Sequence, residues 1–252
     1  MAKLIFLGTA NSVPDEDHEN THMVIVGRER TILIDCVGSP ILRLKKAGVD
    51  HNDLTDMVLT HFHPDHVSGV PPMLMQMWLL GRKKPLNIYG LHYTIDRIED
   101  MMRFYSWADW PDFFPVAFYR LPSGEMTPVL DCPEFRIFSS NVRHFVPTIG
   151  LRVEFKESGK LMAYSCDTEP CEQVVRLADG VDVLVHEATG PYRGHSSAGQ
   201  AGEIASQAEA GGLILIHYQT AGKSIGDELI REAGQHFQGR VEQAQDFMSV
   251  DF

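Results

Sequence analysis

The 252-residue chain has no stretch approaching the roughly 18 consecutive apolar residues of a membrane-spanning helix, so no span and no membrane partner are predicted. The opening "MAKLIFLGTA" carries one lysine and an apolar run that breaks at Gly8, too short for a secretory signal and better read as a first strand. Cysteine is scarce. Cys36, Cys132, Cys166 and Cys171 form no C-x-x-C pair and no even framework, which argues against disulfides or a thiolate zinc cluster and predicts buried thiols in a reducing cytoplasm. Positive charge is short as well. With 22 Lys and Arg against 34 Asp and Glu, the net charge of −12 argues against broad binding to nucleic acid or anionic membranes. Low-complexity segments and long linkers are also missing, which predicts one domain over residues 1–252, long enough to bury a sizeable core.

What the chain does have is a recurrence of short β-branched and aliphatic runs: "KLIFLG", "HMVIVG", "RTILID", "MVLT", "LNIYG", "FRIFSS", "GLRVEF", "LMAYS", "VDVLVH" and "LILIH". Turn-forming residues bound many of them, as strands require. Helical spacing fits residues 39–47, with Ser39 at the N-cap and Pro40 at N1, and residues 94–105, 170–178, 196–210 and 224–235. Strands alternating with helices predict a mixed α/β chain of two sheet halves with helices outside them, and a boundary near residues 110–120.

Twelve histidines are present, and three of them fall in "THFHPDHVSG" (60–69). The run "MVLT" reads as a buried strand ending at this motif. In continued extended backbone His61 and His63 project from the same side and can chelate one ion. Pro64 disfavours helix at His63 and turns the chain, so Asp65 and His66 point elsewhere and suit a second ion. The following "VSGVPPMLMQMWLL" begins a helix, read first as a Met-rich core helix and second as a pocket lip. Three further candidates each follow an apolar run: His144 in "SNVRHFVP", Asp167 in "YSCDTEP" and His217 in "LILIHYQT". A carboxylate can give one oxygen to each of two ions, which makes Asp167 the bridge. His61, His63, His144 and Asp167 would then hold one metal, and Asp65, His66, Asp167 and His217 the other. Imidazole and carboxylate without thiolate suit two Zn²⁺, with Mn²⁺, Fe²⁺ or Co²⁺ as substitutes.

Over nearly its whole length the chain resembles the metallo-β-lactamase superfamily, and within it ribonuclease Z and its relatives. "FLGTANSVP", "ILIDCVGS", "LTHFHPDHVSGVP", "HFVPTIGLRV", "YSCDT", "VLVHEATG", "GHSSAGQAGEIA" and "LILIH" follow the family order, with Cys166 where glycine is common. The resemblance implies a four-layer αββα sandwich with two zinc ions at one sheet edge. It also implies phosphodiester hydrolysis by metal-activated hydroxide, with tRNA 3′-end processing as one outlet and a small ester (cyclic nucleotide, aryl sulfate or lactone) as the alternative. A non-catalytic metal-binding role is a third reading. By the same resemblance His195 approaches the leaving oxygen, with Glu187 orienting it, and Asp65 takes part in proton removal. Without the family, His195 reads as a helix-entry residue ahead of a capping Ser196, and Glu187 as a surface carboxylate. His186 is left undecided.

Some features depart from ribonuclease Z. Asp167 follows His144 by only 23 positions, an interval that reads as a hairpin with no room for the protruding tRNA-binding arm of bacterial members. "YQTAG" stands after His217 where a Ser-x-Arg-Tyr-like stretch is usual, and "DEDHEN" (15–20) is acidic where a basic loop is expected. Against these, "GRKK" (81–84) offers three positive charges near the helix after the metal loop. The stretch "FYSWADWPDFFPVAFY" (104–119) holds eight of the chain's 23 aromatics and reads as core, as a homodimer contact, or as the wall of a pocket for an aryl or nucleoside ester.

Overall fold

Both faces of the first strand are apolar, and that decides the architecture. The computed structural model describes residues 2–220 and 227–252. In β1 (Lys3–Gly8), Leu4 and Phe6 join one buried cluster with Phe135, Leu151 and Val153, while Ile5 and Leu7 join another with Leu44, Met73 and Ile95. A sheet buried on both faces needs a layer on each side.

That sheet runs β14-β1-β2-β3-β4-β5-β6, from β2 (His22–Val26), β3 (Thr31–Ile34), β4 (Asp56–Val58), β5 (Leu86–Leu91), β6 (Val116–Leu121) and the returning β14 (Ser249–Asp251). The facing sheet runs β13-β12-β11-β10-β9-β8-β7, built from β7 (Thr127–Asp131), β8 (Phe135–Val142), β9 (Thr148–Phe155), β10 (Leu161–Tyr164), β11 (Val183–Glu187), β12 (Gly212–Ile216) and β13 (Arg240–Gln243). Helices α1 (Pro40–Lys46), α2 (Pro64–Val67), α3 (Val70–Leu79) and α4 (His92–Phe104) belong to the first half. Helices α5 (Glu172–Leu177), α6 (Ala198–Gln207) and α7 (Asp227–Gly234) belong to the second. The expected αββα sandwich is present. The chain changes sheet between Leu121 and Thr127, just past the expected boundary, and each half repeats one plan of antiparallel strands followed by parallel ones.

Four strands escape the sequence pattern, and they are the four sheet edges: β6, β7, β13 and β14. Edge strands are half solvated and bury little, so their residues carry no long apolar run. The predicted helix at 224–235 is seen from Asp227, its first residues lying outside those described.

Two expectations are corrected. The cap of α6 is Ser197, not Ser196: its side chain accepts from the Gln200 N–H in a capping box, while Ser196 is buried and donates to the Thr168 carbonyl. "GRKK" is no basic patch. Arg82 is buried, with its guanidinium spent on the carbonyls of His51, Leu54, Lys84 and Pro85. Lys83 donates to the Asp112 carbonyl and Lys84 pairs with Asp53. This segment precedes β5, so it lies at the N-terminal ends of parallel strands, whereas the histidine motif follows their C-terminal ends.

The aromatic stretch is chiefly core. Phe114 is buried, and Trp107, Trp110, Phe113 and Phe118 pack against the helical layer, with Trp110 stacked on Trp78 at 5.1 Å between ring centroids. Phe62 of the histidine motif packs against the same cluster, while Phe104 and Tyr105 form an exposed rim.

Candidate metal centre

The C-terminal ends of parallel strands from both sheets meet at one rim, the edge at which α/β sheets present ligands. Asp35 follows β3, the histidine motif follows β4, Asp167 follows β10, Glu187 ends β11 and His217 follows β12. His144 arrives from the antiparallel β8. A backbone reversal turns three of these strand ends toward the rim: Asp35, Cys166 and His217 have φ of 60°, 53° and 54°, a left-handed conformation that costs non-glycine residues energy. The end of β1 pins His217 in place, its N–H donating to the Thr9 carbonyl at 2.9 Å.

All seven residues expected to bind metal converge there. The imidazoles of His61, His63 and His144 form one face, with His63 Nδ1 3.0 Å from His61 Nε2 and 3.2 Å from His144 Nε2. Asp65, His66, Asp167 and His217 form the other, with Asp167 3.5 Å from both His66 Nε2 and His217 Nε2. Asp167 Oδ2 also lies 3.9 Å from His61 and His144, so one carboxylate faces both groups.

The other ring nitrogens fix the tautomers. His66 Nδ1–H donates to Asp35 at 2.7 Å, and His144 Nδ1–H to the Gly194 carbonyl at 2.7 Å. The Thr60 hydroxyl donates to Asp35 and therefore accepts from His61 Nδ1 at 3.2 Å. Thr189 likewise donates to the His217 carbonyl and accepts from His217 Nδ1 at 2.8 Å. Each of these four rings therefore turns its Nε2 inward, where it can meet a cation. A proton on His63 Nδ1 can serve only one of the two Nε2 atoms that face it at 3.0 and 3.2 Å, which leaves the other lone pair bare. His66 Nε2, His217 Nε2 and Asp167 Oδ1 are moreover buried without a hydrogen-bond partner. Such atoms are costly alone and satisfied by a cation, so the donor set fits a divalent metal.

Electrostatics agree. Burial holds His61 and His144 below the ordinary histidine range, neutral and ready to ligate. Burial would do the same to His66, but Asp167 and Asp35 outweigh it and keep that ring well above its usual value in the metal-free chain. Burial would raise the Asp167 carboxyl, yet His217 and His66 hold it well below the usual range.

Beside this cluster stands His195, its ring centroid 5.1 Å from His144 and 5.8 Å from His217. Glu187 is not on the surface. It is buried and accepts from the main-chain N–H groups of Thr168, Thr189 and Ser196, and from His195 Nδ1 at 3.0 Å. Burial would lower the His195 pKa, but the Glu187 bond raises it. His186 faces the helical side of β11, buried away from the cluster, and bonds the Glu187 carbonyl.

A family model described as the β-lactamase superfamily domain matches residues 30–218, well over half of the chain. The chain belongs to the β-lactamase superfamily. Within that superfamily the ribonuclease Z of Methanothermobacter thermautotrophicus is 27% identical over an alignment of 306 residues covering 100% of this chain and 97% of the relative. Two solved structures share its fold: the metallo-β-lactamase fold protein YhfI from Bacillus subtilis (TM-score 0.82, 21% identity, 99% and 98% of the two chains) and the short form of human tRNase Z (TM-score 0.79, 22% identity, 99% and 98%). This superfamily member is a metal-dependent hydrolase of the ribonuclease Z type, and its fold is one that binds divalent metal.

Sequence reasoning missed the supporting groups Asp35, Thr60 and Thr189. Asp35 had a readable signal, an acidic residue closing the apolar run "TILID", the same strand-end position that marks Asp167. Asp35→Asn keeps the shape and tolerates positive φ, but its amide cannot accept equally from Thr60 and His66. The expected result is metal affinity weaker by about 10–100-fold with unchanged secondary structure, read by chelator competition and circular dichroism. Unchanged affinity would remove Asp35 from the site.

Proposed function

We propose that the chain is a dinuclear phosphodiesterase, with His61, His63, His144 and Asp167 holding one divalent ion and Asp65, His66, Asp167 and His217 the other. Zinc suits the imidazole and carboxylate donors, with Mn²⁺, Fe²⁺ or Co²⁺ as substitutes. The observation that carries this reading is Asp167, one buried carboxylate facing two groups of inward-turned ligand atoms. When bound, two divalent ions supply Lewis-acid charge to the phosphoryl oxygens and a nucleophile at neutral pH.

The chain's own residues supply the rest. Glu187, fixed by three main-chain donors, holds His195 Nδ1–H and leaves Nε2 to carry a proton toward a departing oxygen. Asp65 Oδ2, 3.6 Å from His217 Nε2 and only partly covered, is placed to assist proton removal from the nucleophile. Metal analysis and hydrolysis of bis(p-nitrophenyl) phosphate test the assignment. Two equivalents of metal with metal-dependent turnover support it, and metal without turnover on any ester leaves a binding protein.

Small phosphodiesters are the preferred substrates in this reading, ahead of precursor tRNA. The whole interval from His144 to Asp167 is the β9–β10 hairpin, with no arm. The alignment to the Methanothermobacter relative spans 306 residues against a chain of 252, so more than fifty positions of that relative face gaps here. The acidic turn at Asp15–His18 packs against Tyr218, next to His217. Small diesters are expected to turn over readily and precursor tRNA slowly, with any tRNA cleavage falling steeply as salt rises. Efficient, accurate 3′ cleavage at physiological salt would overturn this preference.

A further inference from the structure

A cleft of ≈ 320 Å³ opens beside His195, between the loop after β8 and the loop after β11, and the function proposed above leaves it without a role. Arg143 and Arg193 line it, both exposed, and among the described residues neither forms an ion pair. Elsewhere in the same half of the chain, Arg136 of β8, Arg176 of α5 and Arg240 of β13 are engaged with carboxylates, and Arg152 of β9 with main-chain carbonyls. In a chain with a net charge of −12, free guanidiniums at the mouth of the site need a reason.

Two aromatic rings stand beside them, and the backbone is shaped to hold both. Phe145 and Tyr192 are each 55% exposed, and the Arg193 guanidinium lies 5.6 Å from the Phe145 ring centroid. Gly194 (φ 80°) underlies Phe145, and a Cβ there would stand 2.5 Å from the ring. Gly190 (φ 135°) underlies Tyr192 with the same 2.5 Å approach. Any other residue at either position would push the ring off its seat. The Phe145 centroid is 6.4 Å from that of His195, so this platform adjoins the reacting position. Glu169 also lines the cleft, its Oε1 accepting from the Gly194 N–H at 2.9 Å. Its charge offsets one guanidinium, so a bare anion is attracted weakly and a ligand with both a phosphate and a ring fits better.

We propose that this cleft is a nucleotide subsite, in which Arg143 and Arg193 grip a second phosphate beyond the scissile one and the base of that nucleotide stacks on Phe145 or Tyr192. The inference rests on the phosphodiesterase reading and narrows it: the preferred substrate is a short diester carrying a terminal phosphate. It also gives an acidic protein a local means of holding a polyanion without a broad basic surface.

Two matched esters test it on the metal-loaded protein, thymidine 3′-(p-nitrophenyl phosphate) and the same compound bearing a 5′-phosphate. The added phosphate is expected to lower KM about tenfold, the effect of one or two charge-assisted hydrogen bonds. In Arg143→Ala/Arg193→Ala the two KM values converge, while Arg136→Ala, at the far end of β8, keeps them apart. Calorimetry separates the subsite from the chemistry. Thymidine 3′,5′-bisphosphate should bind more tightly than thymidine 3′-phosphate, and the double variant should erase that difference. If neither ester is hydrolysed, the phosphodiesterase reading fails while the calorimetric difference still decides the subsite. A double variant that retains the preference for the second phosphate in KM and in binding would overturn the proposal.

Discussion

His63→Ala is expected to lower hydrolysis on the order of 10³-fold or more and to reduce bound metal from two equivalents toward one. His63 Nδ1 is the atom that His61 Nε2 and His144 Nε2 both face, at 3.0 and 3.2 Å, so its loss dissolves the three-nitrogen group while leaving Asp65, His66, Asp167 and His217 in place. With one ion in place of two, the site would supply less charge to the nucleophile and the phosphoryl oxygens, and the loss is expected in kcat. The metal-free protein adds a check through protons. Asp167 and Asp35 favour a proton on His66 that a cation must displace, whereas burial disfavours one on His61 and His144. Metal affinity should thus rise with pH, and loading at neutral pH in weak buffer should release acid. A pH-stat trace and metal analysis on the same sample read both effects. Protein purified without chelator that holds no metal and takes up neither Zn²⁺ nor Mn²⁺ would sink the dinuclear reading.

How much of this was legible beforehand follows from what each residue must do. The convergence of the seven histidines and aspartates was readable because those side chains follow apolar runs, and a run of "LILI" followed by His is visible in one dimension. The two inner layers were readable for the same reason, since central strands buried on both faces cannot hide their composition. The four edge strands were not, because β6, β7, β13 and β14 bury too little to leave a pattern. Asp35, Thr60 and Thr189 were missed because their role is relational: a threonine hydroxyl orients a histidine only when folding places them within hydrogen-bond reach. Charge misled once. "GRKK" reads as a cationic surface, but an arginine can equally serve as a buried clamp for carbonyls, and only the positions of His51, Leu54, Lys84 and Pro85 reveal which.

His195 and Glu187 should separate by the size of their effects and by leaving group. Among the described residues His195 alone combines a raised pKa, a place against the His144 and His217 rings and partial exposure. His195→Ala is expected to lower kcat by roughly 10²–10⁴-fold, the usual contribution of a positioned acid, with both metals retained. Glu187 acts one bond further away. It is a positioning residue, and Glu187→Gln keeps an oxygen that accepts from His195 Nδ1–H while losing the charge that supports its proton. The expected loss is about 10–100-fold, together with a fall in the pH at which the alkaline limb of activity titrates, because His195 must be protonated to act and its raised pKa depends on that carboxylate. A merely structural glutamate would lower activity without moving the pH profile. The deciding measurement is kcat against the pKa of the departing phenol or alcohol in a diester series. A nitrophenolate leaves without help and should be nearly indifferent to the loss of His195, whereas an alkoxide cannot leave unprotonated and should bear the full effect. The slope of log kcat on leaving-group pKa therefore steepens in His195→Ala if the imidazole delivers the proton. Equal losses across the series would mean that His195 holds the substrate or the Glu187 loop in place, and that the proton comes from elsewhere.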